Sequence, residues 1–248
     1  MSSDAQQDEL PILYRDPWIV AVHKPSGLLV HRSEIDRHET RFAVQLLRDQ
    51  IGQRVWPAHR LDRGTSGALI FALDPVTAGA LGKQFEAQQV RKRYLAVVRG
   101  HPPASGCIDH ALARKHDARD WRDPRSTAEA PQAAVTDFRT LATVELPFQV
   151  DRYPTSRYAL VALEPHTGRQ HQIRRHLKHI AHPIIGDATY GKGRHNRMFA
   201  ERLGSNRLLL ACTHLSVTHP HSGASVSIDA PLAPEFADLL AQLGWSPG

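Results

Sequence analysis

Short apolar runs broken by Pro, Gly and Asp mark the first third of the chain. Ile12-Leu13-Tyr14 and Trp18-Ile19-Val20-Ala21-Val22 predict two strands around an Asp16-Pro17 turn, and His23-Lys24-Pro25-Ser26-Gly27 breaks the second. From Thr40 to Ile51 the period changes to that of a helix. Ala43, Leu46, Leu47 and Ile51 share one face, Thr40 is placed to cap the start, and Gly52 to end it. Ala68 to Leu73 is a continuous apolar run bounded by Gly67 and Asp74, the pattern of a buried strand. Pro75 then opens an amphipathic helix to about Gln89, with Ala78, Leu81 and Phe85 on its apolar face.

Further along, Tyr94 to Val98, Val135 to Leu146 and Tyr158 to Leu163 predict strands. A helix is predicted over Arg169 to Ile180. Leu208 to Ala211 and Leu215 to Thr218 predict two further strands, Ser225 to Asp229 another after a Pro220 to Gly223 turn, and Leu232 to Leu243 a last helix. Gly100 to Ala134 is rich in Pro, Asp, Arg and His and predicts a loop or small insertion. Strands outnumber helices and come in mixed order. The expectation is an α+β fold with a largely antiparallel, mixed central sheet flanked by helices, in one catalytic domain over 12–248 after a flexible tail over 1–11.

One polar stretch stands out against these apolar runs. In His59-Arg60-Leu61-Asp62-Arg63-Gly64-Thr65-Ser66-Gly67 a carboxylate lies between two arginines, on a tight turn that feeds a buried strand. Asp62 is either a turn residue that caps backbone N–H groups or a functional acid. A second basic stretch runs from Thr167 to Lys178. At about 100° per residue, Ile173, Leu177 and Ile180 form an apolar face, and Arg169 falls within roughly 40° of Ile173. Arg174, Lys178, His171 and Arg175 fall on the far side. An arginine aimed at the core needs a partner, because buried charge is costly unpaired. Asp62 suits, with Glu164 or water at the helix end as alternatives. His171, His176, His179 and His182 suggest a metal site, but the helix is crowded with cations and no acid or cysteine completes a ligand set.

Composition sharpens the choice of partner. The formal charge is +6 and the pI about 9.6, and only six of the 31 basic residues are lysine. Guanidinium forks match phosphate, which points toward nucleic acid. Cys107 and Cys212 lie far apart, and the polar N-terminus is unlike a signal peptide. No stretch reaches transmembrane length, so a cytoplasmic protein with no membrane association is expected.

With these segments assembled, the chain resembles the RluA-type pseudouridine synthases. His59 to Gly67 is similar to their signature around the catalytic Asp, Lys24-Pro25-Ser26-Gly27 to their first motif, and Lys92-Arg93-Tyr94 to their Lys-x-Tyr motif. Gly168-Arg169-Gln170-His171-Gln172-Ile173-Arg174 and His182-Pro183-Ile184-Ile185-Gly186-Asp187, with Tyr190-Gly191, resemble two later motifs. The resemblance implies an isomerase that needs no cofactor and no metal, with Asp62 acting either as a nucleophile at C1′ or as a base at C2′ of the target nucleoside. It implies that Arg60 enters the space a flipped base vacates, that Tyr94 stacks on that base, and that Arg169 forms a salt bridge with Asp62. Lys92, Arg63, Arg174, Arg175 and Lys178 become candidates for phosphate contact, against the alternative of ordinary solvated charges.

His31-Arg32-Ser33, Arg48 to Gln53, Leu141 to Glu145 and Arg152-Tyr153-Pro154-Thr155 resemble a tRNA-acting branch of the family, whose members modify the uridine at position sixty-five. tRNA is therefore the expected partner and a ribosomal RNA the alternative. The chain is expected to be a monomer without an S4 domain or an obligatory protein partner. A non-catalytic RNA-binding protein is a further alternative, disfavoured because binding alone does not call for a carboxylate beside phosphates. One departure is Ala211-Cys212, where the family usually has His-Ala.

Overall fold

The computed structural model describes residues 9–31, 39–113 and 130–246. Its elements in chain order are β1 (Ile12–Arg15), β2 (Ile19–Lys24), α1 (Ala43–Ile51), β3 (Trp56–Pro57), β4 (Ser66–Ala72), α2 (Pro75–Glu86), β5 (Arg91–Arg99) and β6 (Ser105–Asp109). There follow β7 (Val135–Leu146), β8 (Ser156–Pro165), α3 (Gln172–His179), α4 (Gly193–Leu203), β9 (Leu210–Thr218), β10 (Ser225–Asp229) and α5 (Pro234–Gln242). Among the described residues these strands form a ten-stranded sheet in the order β1-β2-β4-β9-β5-β8-β7-β6, with β3 beside β4 and β10 beside β9.

Pairing is antiparallel along this path except at one place. β4 and β9 run parallel, through Ser66 with Ala211 and Gly67 with Cys212. This short seam joins two antiparallel halves, each with its own core. Leu47 of α1 and Leu81 of α2 pack with Val22, Leu69 and Phe71 on one side; Leu177 of α3, Phe199 of α4 and Phe236 of α5 pack with Val97, Leu160 and Leu163 on the other. β9 supplies Ala211 to one core and Cys212 to the other, and Tyr94 packs against both. The seam demands glycine. Gly67 has φ +110°, and a Cβ there would lie 2.0 Å from the Cys212 carbonyl oxygen.

The mixed, mostly antiparallel sheet matches the expected fold class. Several local expectations need correction. α1 starts at Ala43, with Phe42 in the cap position and no side-chain cap, so Thr40 does not cap it. The stretch 100–134 holds β6, paired along β7, while residues 114–129 of that stretch lie outside the described residues. Of the stretch expected as a tail over 1–11, Leu10 is buried and exchanges two hydrogen bonds through its backbone with the Gln50 side-chain amide, while residues 1–8 lie outside the described residues. β9 is one strand rather than two. Its polar Thr213-His214 step sits opposite a register shift between Arg93 and Tyr94 that accommodates it. α4 is absent from the sequence expectation, because only His195, Met198 and Phe199 of its eleven residues are buried. That i, i+3, i+4 stripe is too narrow to stand out among its arginines.

Candidate active site

Asp62 lies on the turn that leads into β4, closed by the Thr65 amide donating to the Asp62 carbonyl at 3.0 Å. A second loop braces this turn. The ammonium of Lys24, fully buried at the end of β2, donates to the carbonyls of Pro25 (2.9 Å), Leu28 (2.6 Å) and Arg63 (3.2 Å). Ser26 Oγ donates to the Gly64 carbonyl at 2.7 Å, and the Gly27 amide to the Arg63 carbonyl at 2.8 Å. Burial pulls the Lys24 ammonium down to about 7, against the opposing pull of the Asp62 charge. Lys24-Pro25-Ser26-Gly27 thus works as a clasp on the Asp62 turn. Its role was not apparent in the chain, since a lysine after an apolar strand reads as solvated.

The Asp62 carboxylate meets α3. Arg174 Nη1 donates to Asp62 Oδ2 at 3.0 Å, while Arg174 Nε and Nη2 grip Asp187 Oδ2 and Oδ1 at 2.7 and 2.9 Å. The Arg174 side chain is 11% exposed and that of Asp187 wholly buried. Burial opposes charge on both. It is outweighed by their mutual hydrogen bonds and attraction, which raise the guanidinium of Arg174 and lower the carboxyl of Asp187. Asp187 also accepts the amides of Thr189 and Tyr190, so it is fixed before it fixes Arg174. The Tyr190 ring lies 5.1 Å from the guanidinium carbon. Asp62 Oδ1, the other oxygen, lies 3.9 Å from His171 Nε2.

The partner of Asp62 is therefore Arg174 and not Arg169. α3 begins at Gln172, and His171 before it is left-handed at φ 54°. Helical phase does not extend back to Arg169, whose Nε donates to the Ala133 carbonyl at 3.2 Å. Arg174, expected on the outer face, lies on the flank of α3 between its buried side and the Asp62 turn. Gln172 holds the bend before the helix. Its Oε1 accepts Thr167 Oγ1 (2.7 Å) and the Arg169 amide (3.0 Å), and its Nε2 donates to the Val135 carbonyl and Thr136 Oγ1, both at 3.0 Å.

Two cavities open around Asp62. The first, about 690 Å³, is lined by Tyr94, Lys92, Leu210, His59 and Arg169; the second, about 930 Å³, by Arg63, Ser205, Asn206 and Arg207. Arg60, Asp62, Gln170, His171 and Arg174 line both. The structure thus brings Arg60, Asp62, Lys92, Tyr94 and Arg169 to one cavity. Arg63 turns to the other and pairs with Glu39 at 2.5 Å and the Gly27 carbonyl at 3.1 Å. Burial, with the Cys212 thiol beside it, pushes the Tyr94 hydroxyl well up, and burial pushes the Cys212 thiol to about 12. The Ala211-Cys212 departure therefore places a neutral thiol behind Tyr94. His59 accepts the Ile70 amide on Nε2 at 3.2 Å and stacks on Phe85, and burial holds it down to about 3. Among the described residues no group of three or more His, Cys, Asp or Glu is arranged to hold a metal. His176 uses both ring nitrogens, one with Thr136 Oγ1 and one with the His110 carbonyl.

A family model described as RNA pseudouridylate synthase matches residues 18–179, from the start of β2 to the end of α3. The chain belongs to the RNA pseudouridylate synthase family. Among relatives of this pseudouridine synthase, tRNA pseudouridine synthase C of Pasteurella multocida is 50% identical over 95% of this chain and 97% of its own. That of Yersinia pestis is 48% identical over 96% and 92%. Human RNA Pseudouridylate Synthase Domain Containing 1 superposes with a TM-score of 0.70 at 27% identity, covering 94% of this chain and 88% of its own. Among the described residues no helix is long and apolar enough to cross a membrane.

Proposed function

We propose that this RNA pseudouridine synthase acts on tRNA, converting the uridine at position sixty-five through Asp62. Names and lengths of the relatives support the tRNA assignment. The catalytic assignment is carried by the Asp62–Arg174 pair, at 3.0 Å, in a cavity that also presents an aromatic ring. The reaction is redox-neutral. The N1–C1′ bond breaks, the uracil turns, C5 bonds to C1′, and the C5 proton is exchanged for one on N1. Arg174 anchors Oδ2 of Asp62, leaving Oδ1 to meet the sugar, as a nucleophile at C1′ or a base at C2′. Tyr94 offers a flat apolar face on which a base can stack and still rotate.

A uridine in a folded RNA must leave its stack first. Arg60, exposed at the junction of the two cavities, is positioned to fill the gap left behind. The test is incubation of the purified chain with unmodified tRNA and, separately, ribosomal RNA transcripts carrying [5-³H]uridine, followed by pseudouridine mapping. Tritium release with a signal at position sixty-five alone is expected. A signal confined to ribosomal RNA would redirect the substrate assignment, and no release from any RNA would overturn the function.

A further inference from the structure

We infer that the second cavity receives a nucleotide adjacent to the target uridine and reads its base through Gln170 and Asn206. This deepens, and rests on, the function proposed above. A nucleoside against Asp62 with its base toward Tyr94 occupies the first cavity. Its neighbours are one phosphodiester away, and the second cavity starts at the same Asp62 carboxylate. Both volumes fall within the span of about 300–1,000 Å³ usual for ligand sites.

The lining chemistry favours a base over a free phosphate. Of the cations around the second cavity, Arg63 is held by Glu39, Arg174 by two aspartates, and Arg207 by Ser66 Oγ and Glu235 at 2.6 and 2.5 Å. Among the described residues that line this cavity, Arg60 at the junction, Thr189 Oγ1 and the two side-chain amides hold no ion pair or side-chain hydrogen bond, and both amides are exposed. An amide offers donors and an acceptor together, the combination that matches the edge of a base. Beside Asn206, the hydroxyl of Ser205 is buried with no hydrogen-bond partner among the described residues, so the cavity wall holds a further unmet polar group. Neither amide is hydrogen-bonded to Asp62 or Arg174, so they are specificity groups rather than catalytic residues.

The test uses the full chain, its Gln170→Ala and Asn206→Ala variants and the double variant. Substrates are tRNA transcripts in which each nucleotide flanking the target is replaced in turn, with its pairing partner changed to keep the stem. Initial tritium-release rates yield kcat and KM. The wild-type chain should discriminate about tenfold among bases at one flanking position. The double variant should lose that preference through KM, with kcat kept. A wild-type chain indifferent to both flanking bases, or variants that keep the full wild-type preference, would overturn the inference while leaving pseudouridine formation intact. A wild-type chain inactive on every transcript would instead overturn the underlying function, and this inference with it.

Discussion

Replacing Arg174 separates two roles that one guanidinium fulfils. In Arg174→Gln, Asp187 stays buried and keeps only the Thr189 and Tyr190 amides, both on Oδ1, so Oδ2 loses its donor. Breaking a buried pair by removing one partner costs about 3–5 kcal/mol, a loss read directly from denaturant unfolding. Asp62 also loses the contact that sets its rotamer, and misplacing a reacting group by about 1 Å lowers turnover on the order of a hundredfold. Arg174→Lys keeps a charge but not the fork, and should lose about 1–3 kcal/mol. Adding Asp187→Asn to Arg174→Gln removes the orphaned charge, so stability should recover in part while kcat stays low. Arg169→Ala should change stability by no more than about 0.5 kcal/mol and leave kcat near the wild-type value, since that side chain meets only a carbonyl. Tritium release and urea unfolding on the five proteins decide the matter. Wild-type kcat in Arg174→Gln, or a loss of kcat in Arg169→Ala as large as that in Arg174→Gln, would rule out Arg174 as the residue that positions Asp62.

Three further outcomes are expected. Gly67→Ala drives a methyl into the Cys212 carbonyl at a φ of +110°, so stability should fall by more than about 2 kcal/mol in thermal unfolding; an unchanged Tm would contradict the seam described above. His59 stays neutral in the fold down to about 3, whereas the unfolded chain takes up a proton near the ordinary histidine value, so stability should be lost as pH falls from about 6.5 toward 3. His59→Gln keeps an acceptor for Ile70 and cannot titrate. Urea unfolding between pH 7 and 4.5 should show a slope up to about 1.4 kcal/mol per pH unit shallower in that variant, and identical slopes would remove His59 from the account. Tyr94→Leu removes the stacking face and should weaken RNA use by about 1–3 kcal/mol in kcat/KM, whereas wild-type efficiency would exclude stacking there.

Much of this was legible in the chain, and the misses share a cause. Val135–Leu146 and Ser225–Asp229 appear with the predicted bounds because their alternation faces one core. Asp62 stands out as a carboxylate between two arginines on a turn that feeds a buried strand, whereas Tyr94 is legible only through the resemblance of Lys92-Arg93-Tyr94 to the Lys-x-Tyr motif. The Asp62 clamp was legible only as the need for an inward arginine, and periodicity selected the wrong one. A left-handed His171, held by Gln172 and its four hydrogen bonds, starts the helix three residues later than Arg169 and resets the phase. Lys24 and Asp187 were opaque for the related reason that their partners are distant carbonyls and a guanidinium, which no local pattern encodes. α4 was missed because its buried stripe is narrower than the surrounding basic surface.

Asp62→Asn tests with the least disturbance whether the Asp62 carboxylate carries out the chemistry, because the amide retains shape and an oxygen for Arg174. Tritium release from [5-³H]uridine tRNA should fall to background while Tm and tRNA affinity stay close to those of the wild-type chain. Turnover at the wild-type rate by Asp62→Asn would contradict that role.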